Sequence, residues 1–140
     1  MDICIDFDGT CVSNEFPEIG KDIGSVPVLK KLIGNGHKLI LFTMRSDIDK
    51  VTSNDVNIHK QGGKYLTSAI AWFRNNNVSL YGVNTNPTQH FWTKSPKAYC
   101  QLYIDDTALG CPLVEDVSIS DKPFVDWVKV EEMLIEKGII

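Results

Sequence analysis

The stretch that decides the fold is residues 3–10, which read Ile3-Cys4-Ile5-Asp6-Phe7-Asp8-Gly9-Thr10. Three apolar residues in a row are typical of a strand that is covered on both faces of a sheet. Two carboxylates, a glycine and a threonine follow at once, where such a strand would end. In open parallel sheets, ligands bind outside the carboxyl ends of the strands. Residues 6–10 are therefore the first candidates for a functional site.

The rest of the chain continues this alternation of apolar runs and amphipathic segments, which predicts an α/β protein with a mainly parallel sheet. Further strands are predicted at residues 39–42, 80–84 and 102–104, with a weaker edge strand at 113–119. Helices are predicted at residues 25–33, 66–73 and 127–137, with Ser25 and Asp126 as N-caps. The polar, turn-rich residues 47–63 predict only a short helix and a loop.

Polar residues of complementary chemistry follow the other predicted strands. Thr43 follows the second strand, and Asp105 and Asp106 follow the fourth, with Lys97 shortly before it. Mg²⁺ prefers oxygen ligands and is commonly bound by one or two carboxylates together with a substrate phosphate. The pattern therefore predicts a magnesium site that receives a phosphorylated substrate.

This set of side chains suits attack on a phosphate monoester. The carboxylate of Asp6 can attack phosphorus and form an aspartyl-phosphate, which water then hydrolyses. Asp8 can protonate the leaving oxygen and later deprotonate the water. Thr43 and Lys97 can bind the phosphate oxygens and offset their charge. We therefore expect a phosphatase with Asp6 and Asp8 as its catalytic residues.

Four segments of the sequence resemble the motifs of the haloacid dehalogenase superfamily, in the same order. They are Asp6-Phe7-Asp8-Gly9-Thr10, Leu41-Phe42-Thr43, Lys97 and Ile104-Asp105-Asp106. The resemblance is to small bacterial hydrolases and spans residues 6–106. It implies a three-layer α/β/α, Rossmann-like sandwich with Asp6 as the nucleophile. It also implies Mg²⁺ held by Asp6, Asp105 and the main-chain carbonyl of Asp8.

Several assignments stay open at this point. Lys94 competes with Lys97, and the eight-residue spacing to Asp105 favours Lys97. Either carboxylate of the acidic pair could bind the metal, and we expect Asp105 to do so with support from Asp106. Further candidates for contacts with the substrate are Arg45, His90 and Trp92. For Arg45 the alternative is a surface ion pair.

Other functions share part of this chemistry. A phosphotransferase or phosphomutase would use the same residues and keep the aspartyl-phosphate away from water. A signalling receiver domain has its phosphoacceptor on a later strand, whereas here the third strand ends in Asn84. A dehalogenase or phosphonatase of the superfamily would normally lack the acid–base residue at Asp8. A non-catalytic phosphate- or metal-binding module is disfavoured because no part of the apparatus is missing.

Length and composition indicate one domain, residues 1–140, with no apolar run that could cross a membrane. The gaps between the motifs are too short for a separate cap domain. We therefore expect residues 11–18 and 85–94 to screen the site. A large substrate or a neighbouring subunit of a homo-oligomer would complete the exclusion of water.

The net charge limits which partners are expected, and the cysteines indicate the cellular compartment. The net charge is −4 and there is no basic run, which disfavours a nucleic-acid partner and leaves phosphorylated small molecules or proteins as expected substrates. The first residues do not resemble a signal peptide. The cysteines lack metal-binding spacing, so we expect a cytoplasmic protein with all four reduced, namely Cys4, Cys11, Cys100 and Cys111.

Overall fold

The computed structural model describes residues 1–50 and 61–140. Its strands are β1 Asp2–Ile5, β2 Lys38–Leu41, β3 Asp47–Lys50, β4 Gln61–Lys64, β5 Gly82–Val83, β6 Leu102–Ile104, β7 Leu113–Val114 and β8 Phe124–Val125. Its α-helices are α1 Ser25–Gly34, α2 Tyr65–Asn75 and α3 Trp127–Glu136, and a short 3₁₀ helix spans Gln89–Phe91. The predicted mixed α/β class is confirmed. No helix within the described ranges is long and apolar enough to cross a membrane.

The central sheet has four parallel strands in the order β5-β2-β1-β6. Ile5 of β1 pairs with Leu41 of β2 on one side and with Ile104 of β6 on the other. The carboxyl ends of these three strands are therefore level. The chain builds the sheet outward from β1 through β2 to β5 and then returns to the other side of β1 with β6. This change of direction creates a crevice between β1 and β6.

The first face of the sheet carries the main hydrophobic core. Ile3 and Ile5 of β1 lie in it with Leu39 and Leu41 of β2, and all four are buried. The same cluster takes the apolar stripes of all three helices, namely Val28, Leu29 and Leu32 of α1, Ala69 and Phe73 of α2, and Trp127, Val130 and Leu134 of α3. At roughly 1.5 to 3 kcal/mol for each large apolar side chain that is buried, this core is the main source of stability.

The second face of the sheet has a smaller core. Because successive side chains of a strand alternate between faces, Cys4 and Ile40 point to this side, where they pack with Ala98. The covering layer is residues 84–101, which contain no α-helix. The expected arrangement of three layers with helices on both faces is therefore not confirmed.

A disulfide joins Cys4 to Cys100 on the second face. The prediction that all four cysteines are reduced is wrong for this pair, whereas Cys11 and Cys111 are free. The two half-cystines are 96 residues apart in sequence. They meet because the sheet register places Cys4 opposite Tyr103, three residues beyond Cys100.

Residues 47–63 differ from the prediction of a short helix and a loop. β3 and β4 pair as antiparallel strands, and residues 51–60 of that prediction lie outside the described residues. Asp47 fixes this pair to the start of α2 by accepting hydrogen bonds from the Thr67 backbone N–H at 3.0 Å and the Thr67 hydroxyl at 2.5 Å. These bonds lower the pKa of Asp47. The pairing escaped prediction because β4 contains Gly62 and Gly63, which are poor strand formers.

The remaining elements refine the sequence predictions. Asp126 caps α3 as predicted, accepting a hydrogen bond from the backbone N–H of Lys129. Ser25 does not cap α1, because its hydroxyl donates instead to the buried carbonyl of Cys11. The predicted edge strand at residues 113–119 is reduced to β7, which pairs with β8 in a separate two-stranded sheet.

Candidate functional site

Three carboxylates meet at the carboxyl end of the central sheet. Asp6 follows β1 directly, and Asp105 and Asp106 follow β6. One carboxylate oxygen from each lies within 4.8 Å of the other two, and all three residues are half-buried. We call these three residues the acidic cluster. It lies between β1 and β6, where the order of the strands reverses.

A tight turn after β1 shapes one wall of the acidic cluster. The backbone N–H groups of Thr10 and Cys11 both donate to the carbonyl of Phe7, and Phe7 itself is buried in the core. Gly9 has a φ of +81°, a conformation that side chains disfavour. A Cβ atom on Gly9 would lie 2.5 Å from Asp106 Oδ2. Glycine is therefore required here both by the backbone and by the nearby carboxylate.

Thr10 links the two strands that supply the acidic cluster. Its hydroxyl donates to Asp6 Oδ2 at 2.9 Å and accepts from the backbone N–H of Asp106 at 3.0 Å. Its carbonyl in turn accepts a hydrogen bond from the buried indole N–H of Trp127 at 2.7 Å. Thr10 belongs to the first motif, Asp6-Phe7-Asp8-Gly9-Thr10, but the motif alone predicted no role for it. Its position four residues after Asp6 in a tight turn is the signal that could have indicated one.

The electrostatics of the acidic cluster are unfavourable for three ionised carboxylates. Burial raises the pKa of Asp6 to about 7, helped by the nearby charges of Asp105 and Asp106 and opposed by hydrogen bonds from the Phe7 backbone and Thr10. Burial and the charge of Asp105 also raise the pKa of Asp106. Grouped carboxylate oxygens of this kind match the ligands preferred by Mg²⁺, and a bound cation would relieve their repulsion. The residues present therefore fit a divalent hard cation.

Asp105 is oriented by its own turn. Its Oδ1 accepts hydrogen bonds from the backbone N–H of Thr107 at 2.8 Å and from the Thr107 hydroxyl at 2.6 Å. One carboxylate oxygen each of Asp105 and Asp106 lies within the 4.8 Å limit of the acidic cluster. The choice of Asp105 as the metal ligand stays a prediction.

Asp8 does not join the acidic cluster but forms an ion pair with Arg45. The Nε and Nη2 atoms of Arg45 donate to Oδ2 and Oδ1 of Asp8, each at 2.7 Å. Arg45 is 3% exposed, so the alternative of a surface ion pair is wrong. The guanidinium also donates to the carbonyls of Pro17 and Glu18. It thereby connects residues 17–18 to Asp8.

Thr43 lies at the same edge of the sheet, just beyond β2. Its backbone N–H donates to the side-chain carbonyl of Asn84 at 2.8 Å. Its hydroxyl accepts from the backbone N–H of Arg45 at 3.1 Å, which leaves the hydroxyl proton for another acceptor. The role of Thr43 in binding a phosphate oxygen stays a prediction.

The loop expected to screen the site lies elsewhere. The side-chain amide of Asn86 donates to Asp2 Oδ2 and to the carbonyl of Tyr99, which places it at the opposite end of β1 from Asp6. The expectation that residues 85–94 cover Asp6 is therefore wrong. The reason is Asn84, whose φ of +56° turns the chain back across the second face.

The four other candidate residues from the sequence, Lys94, Lys97, His90 and Trp92, lie within residues 84–101, the covering layer of the second face. Lys97 Nζ is 5.6 Å from the centre of the Tyr103 ring, and the ring of Trp92 is 5.2 Å from that of Tyr99. His90 stacks on Phe91. Lys94 is exposed. No hydrogen bond or ion pair between described residues joins any of these four candidates to the acidic cluster.

Comparison with known proteins gives one informative likeness. No protein-family model matches the chain, and no curated protein matches it. A solved structure of a conserved protein from Bacteroides thetaiotaomicron is 32% identical, with a TM-score of 0.70. The likeness covers 98% of this chain and 91% of the Bacteroides chain. The chain therefore belongs to the same protein family as this conserved Bacteroides thetaiotaomicron protein.

Proposed function

We propose that this protein is a Mg²⁺-dependent phosphatase of the haloacid dehalogenase type, which hydrolyses a phosphate monoester through an aspartyl-phosphate on Asp6. The observation that carries the proposal is the acidic cluster, in which carboxylates from the ends of β1 and β6 lie within 4.8 Å of one another. The resemblance of residues 6–10 and 104–106 to the motifs of that superfamily supports the same conclusion.

We further infer that the fold is a shortened Rossmann-like one. The strand order β5-β2-β1-β6 is that of the first strands of a doubly wound sheet, and the crevice lies where the order reverses. Residues 84–101 take the place that a crossover helix would fill on the second face. A single catalytic domain remains part of this proposal. The cytoplasmic location loses its support from reduced cysteines, because Cys4 and Cys100 form a disulfide, a bond that is rare in cytosolic proteins.

Asp6 and Asp105 would hold the metal, with Asp106 next to them and the main-chain carbonyl of Asp8 as a further oxygen ligand. When bound, Mg²⁺ offsets the negative charge that makes a phosphate ester resistant to nucleophiles. The raised pKa of Asp6 matters here, because only the ionised carboxylate can act as a nucleophile. A cation beside Asp6 would favour that ionised form.

The chain supplies the remaining steps through its own side chains. An oxygen of Asp6 forms a bond to phosphorus as the bond to the leaving oxygen breaks. Water then attacks the aspartyl-phosphate and regenerates the carboxylate, with inorganic phosphate as the product. Thr10 orients Asp6 throughout, since its hydroxyl donates to Oδ2. Thr43 can donate its hydroxyl proton to a phosphate oxygen.

Asp8 would move the protons of this reaction, and Arg45 controls how it does so. With both carboxylate oxygens bound to the guanidinium, Asp8 is held ready to accept a proton from the attacking water. To donate a proton to a leaving oxygen, Asp8 must first hold one, such as the proton taken from the attacking water in the previous turnover, and it must give up one of these hydrogen bonds. The ammonium group of Lys97, in the third motif, lies over the ring of Tyr103, and its role at the phosphate stays a prediction.

A phosphatase assay tests the proposal directly. A panel of phosphorylated metabolites and p-nitrophenyl phosphate should release phosphate in the presence of Mg²⁺, and EDTA should abolish the release. Asp6→Asn should remove turnover, whereas Asp121→Asn, an exposed carboxylate outside the site, should not. Full activity in EDTA, or in the Asp6→Asn variant, would overturn the mechanism.

A further inference from the structure

The charge of this chain is distributed unevenly. Residues 56–104 contain no aspartate or glutamate and carry five basic residues, which are Lys60, Lys64, Arg74, Lys94 and Lys97. The net charge of −4 therefore combines +5 in this segment with −9 in the remainder. The prediction that disfavoured a nucleic-acid partner considered only net charge and basic runs, and not this uneven distribution of charge. The covering layer of the second face, residues 84–101, lies entirely within the segment that has no acidic residue.

The covering layer and the adjoining strand β6 expose aromatic rings to a degree that packing does not require. Phe91 is 81% exposed, Trp92 61%, Tyr99 42% and Tyr103 36%. The rings of Trp92 and Tyr99 stand nearly perpendicular, with centroids 5.2 Å apart. Together with Tyr103 they line a recess of about 260 Å³. That volume is just below the range of sites for drug-sized ligands, so it suits one flat ring.

Lysines accompany these rings. Lys97 lines the recess and lies over the ring of Tyr103. On the same face, Lys38 lies over Tyr81, 4.4 Å from the ring centre. No ion pair between described residues involves Lys94 or Lys97. At one end of this surface Asp2 accepts a hydrogen bond from Asn86, and at the other end the acidic cluster follows β1 and β6. Between these ends, Lys97 and Lys38 give the aromatic part of the surface a positive charge that complements an anion.

We propose that this surface, formed by Trp92, Lys97, Tyr99 and Tyr103, binds a single-stranded oligonucleotide. Every base has a flat face that can stack on an aromatic side chain, while lysines contact the phosphates between bases. The recess accepts one base, and the exposed ring of Phe91, the residue before Trp92, offers a second platform. A duplex keeps its bases stacked inside, so it would not use the rings.

The surface continues towards the acidic cluster. Asp6 follows Cys4 by two residues and Asp105 follows Tyr103 by two, the spacing that keeps side chains on one side of a strand. An oligonucleotide bound on the second face would therefore extend towards the carboxyl ends of β1 and β6, where the acidic cluster lies. The binding itself does not depend on the proposed phosphatase activity, so the two proposals can fail separately.

Fluorescence anisotropy of a labelled oligothymidine about ten nucleotides long tests the binding. The dye is attached to an internal base and both ends carry hydroxyl groups, so the probe holds no phosphate monoester and can be used with wild-type protein in Mg²⁺. Trp92→Ala should weaken binding at least about fivefold, and Trp92→Phe should restore most of it. Leu109→Ser, which removes an apolar side chain that is also fully exposed, should leave the affinity unchanged.

Salt dependence tests the role of the lysine separately. Lys97→Gln should reduce the slope of log K against log salt concentration by about 0.7, the value for one phosphate of a single strand. Lys30→Gln, an exposed lysine on α1, should leave the slope unchanged. No binding at low salt, equal binding of a duplex of the same length, or equal effects of Lys30→Gln and Lys97→Gln would each overturn the proposal.

Discussion

Arg45 and Asp8 form a two-point ion pair at the mouth of the site, with both hydrogen bonds at 2.7 Å. Arg45 is almost completely buried, whereas the Asp8 side chain keeps 17% of its surface exposed. The buried partner therefore fixes the accessible one. This geometry makes Arg45 the residue that sets the position of Asp8 before any substrate arrives.

Removal of the arginine should destabilise the protein, because it leaves a carboxylate that is mostly buried without its partner. We expect Arg45→Met to lower the free energy of unfolding by about 3 kcal/mol. The double variant Asp8→Asn/Arg45→Met should lose less than the sum of the two single losses. Urea unfolding of the four proteins measures this coupling. Additive losses would show that the two side chains do not interact in solution.

Asp8 should matter more for poor leaving groups than for good ones. An alkyl phosphate needs a proton on its leaving oxygen, whereas p-nitrophenolate leaves without one. Asp8→Asn should therefore lower kcat on alkyl phosphates about tenfold more than on p-nitrophenyl phosphate. Steady-state kinetics on both substrates gives the comparison. Equal losses on the two substrates would indicate that Asp8 has only a structural role.

The stability of the metal-free protein should fall as the pH rises from about 4 to about 7. The pKa of Asp6 is about 7 in the folded chain against 3.8 as its ordinary value. Between these values the folded state binds more protons than the unfolded state, so a rise in pH favours unfolding. Binding of Mg²⁺ competes with the proton and should stabilise the protein more at pH 8 than at pH 5.

Thermal melting at the two pH values, with EDTA or Mg²⁺, measures both effects. Asp6→Asn removes the titrating group, so its stability should depend less on pH across the same interval. An equal Mg²⁺-induced shift in Tm at pH 5 and pH 8 would contradict the assignment of Asp6 as a metal ligand.

The steric role of Gly9 can be tested by comparison with Gly110, a glycine that has a similar positive φ but no atoms near the position of a Cβ. Gly9 and Gly110 have φ values of +81° and +88°, and a Cβ on Gly110 would meet nothing within 4 Å. Both alanine variants should lose about 1 to 2 kcal/mol from the left-handed backbone. Only Gly9→Ala should also displace Asp106 and weaken Mg²⁺ binding. Calorimetric titration with Mg²⁺ distinguishes them, and equal affinities would argue against Asp106 at the metal.

The strands and helices that build the core could be predicted because each has a pattern of apolar residues within its own short segment of sequence. Ile3-Cys4-Ile5 and Leu39-Ile40-Leu41 are unbroken apolar runs, and α2 and α3 carry apolar residues at helical spacing. The proximity of Asp6 and Asp105 could be predicted in the same way, because the carboxyl ends of parallel strands meet at one edge of the sheet. The positions of Asp6 and Asp105 needed only the assumption of a parallel sheet.

Other features depend on contacts between distant residues and leave no local pattern. The pairing of Arg45 with Asp8 spans 37 residues, and the sequence suggested an exposed arginine because it follows a strand end. The course of residues 84–101 depends on one turn at Asn84. A chain that turns there runs back over Cys4, whereas the prediction carried it forward over Asp6.

The turn after β1 is held by hydrogen bonds from residues that lie more than 100 positions later in the chain. Gly9 accepts a hydrogen bond from the backbone of Val125, and Thr10 accepts one from the indole of Trp127, across 117 positions. During synthesis the carboxylate-bearing loop therefore leaves the ribosome well before the segment that braces it. The nascent chain carries the carboxylates of the acidic cluster but not yet their fixed geometry. The proposed binding of metal and substrate would therefore become possible only late, when α3 docks.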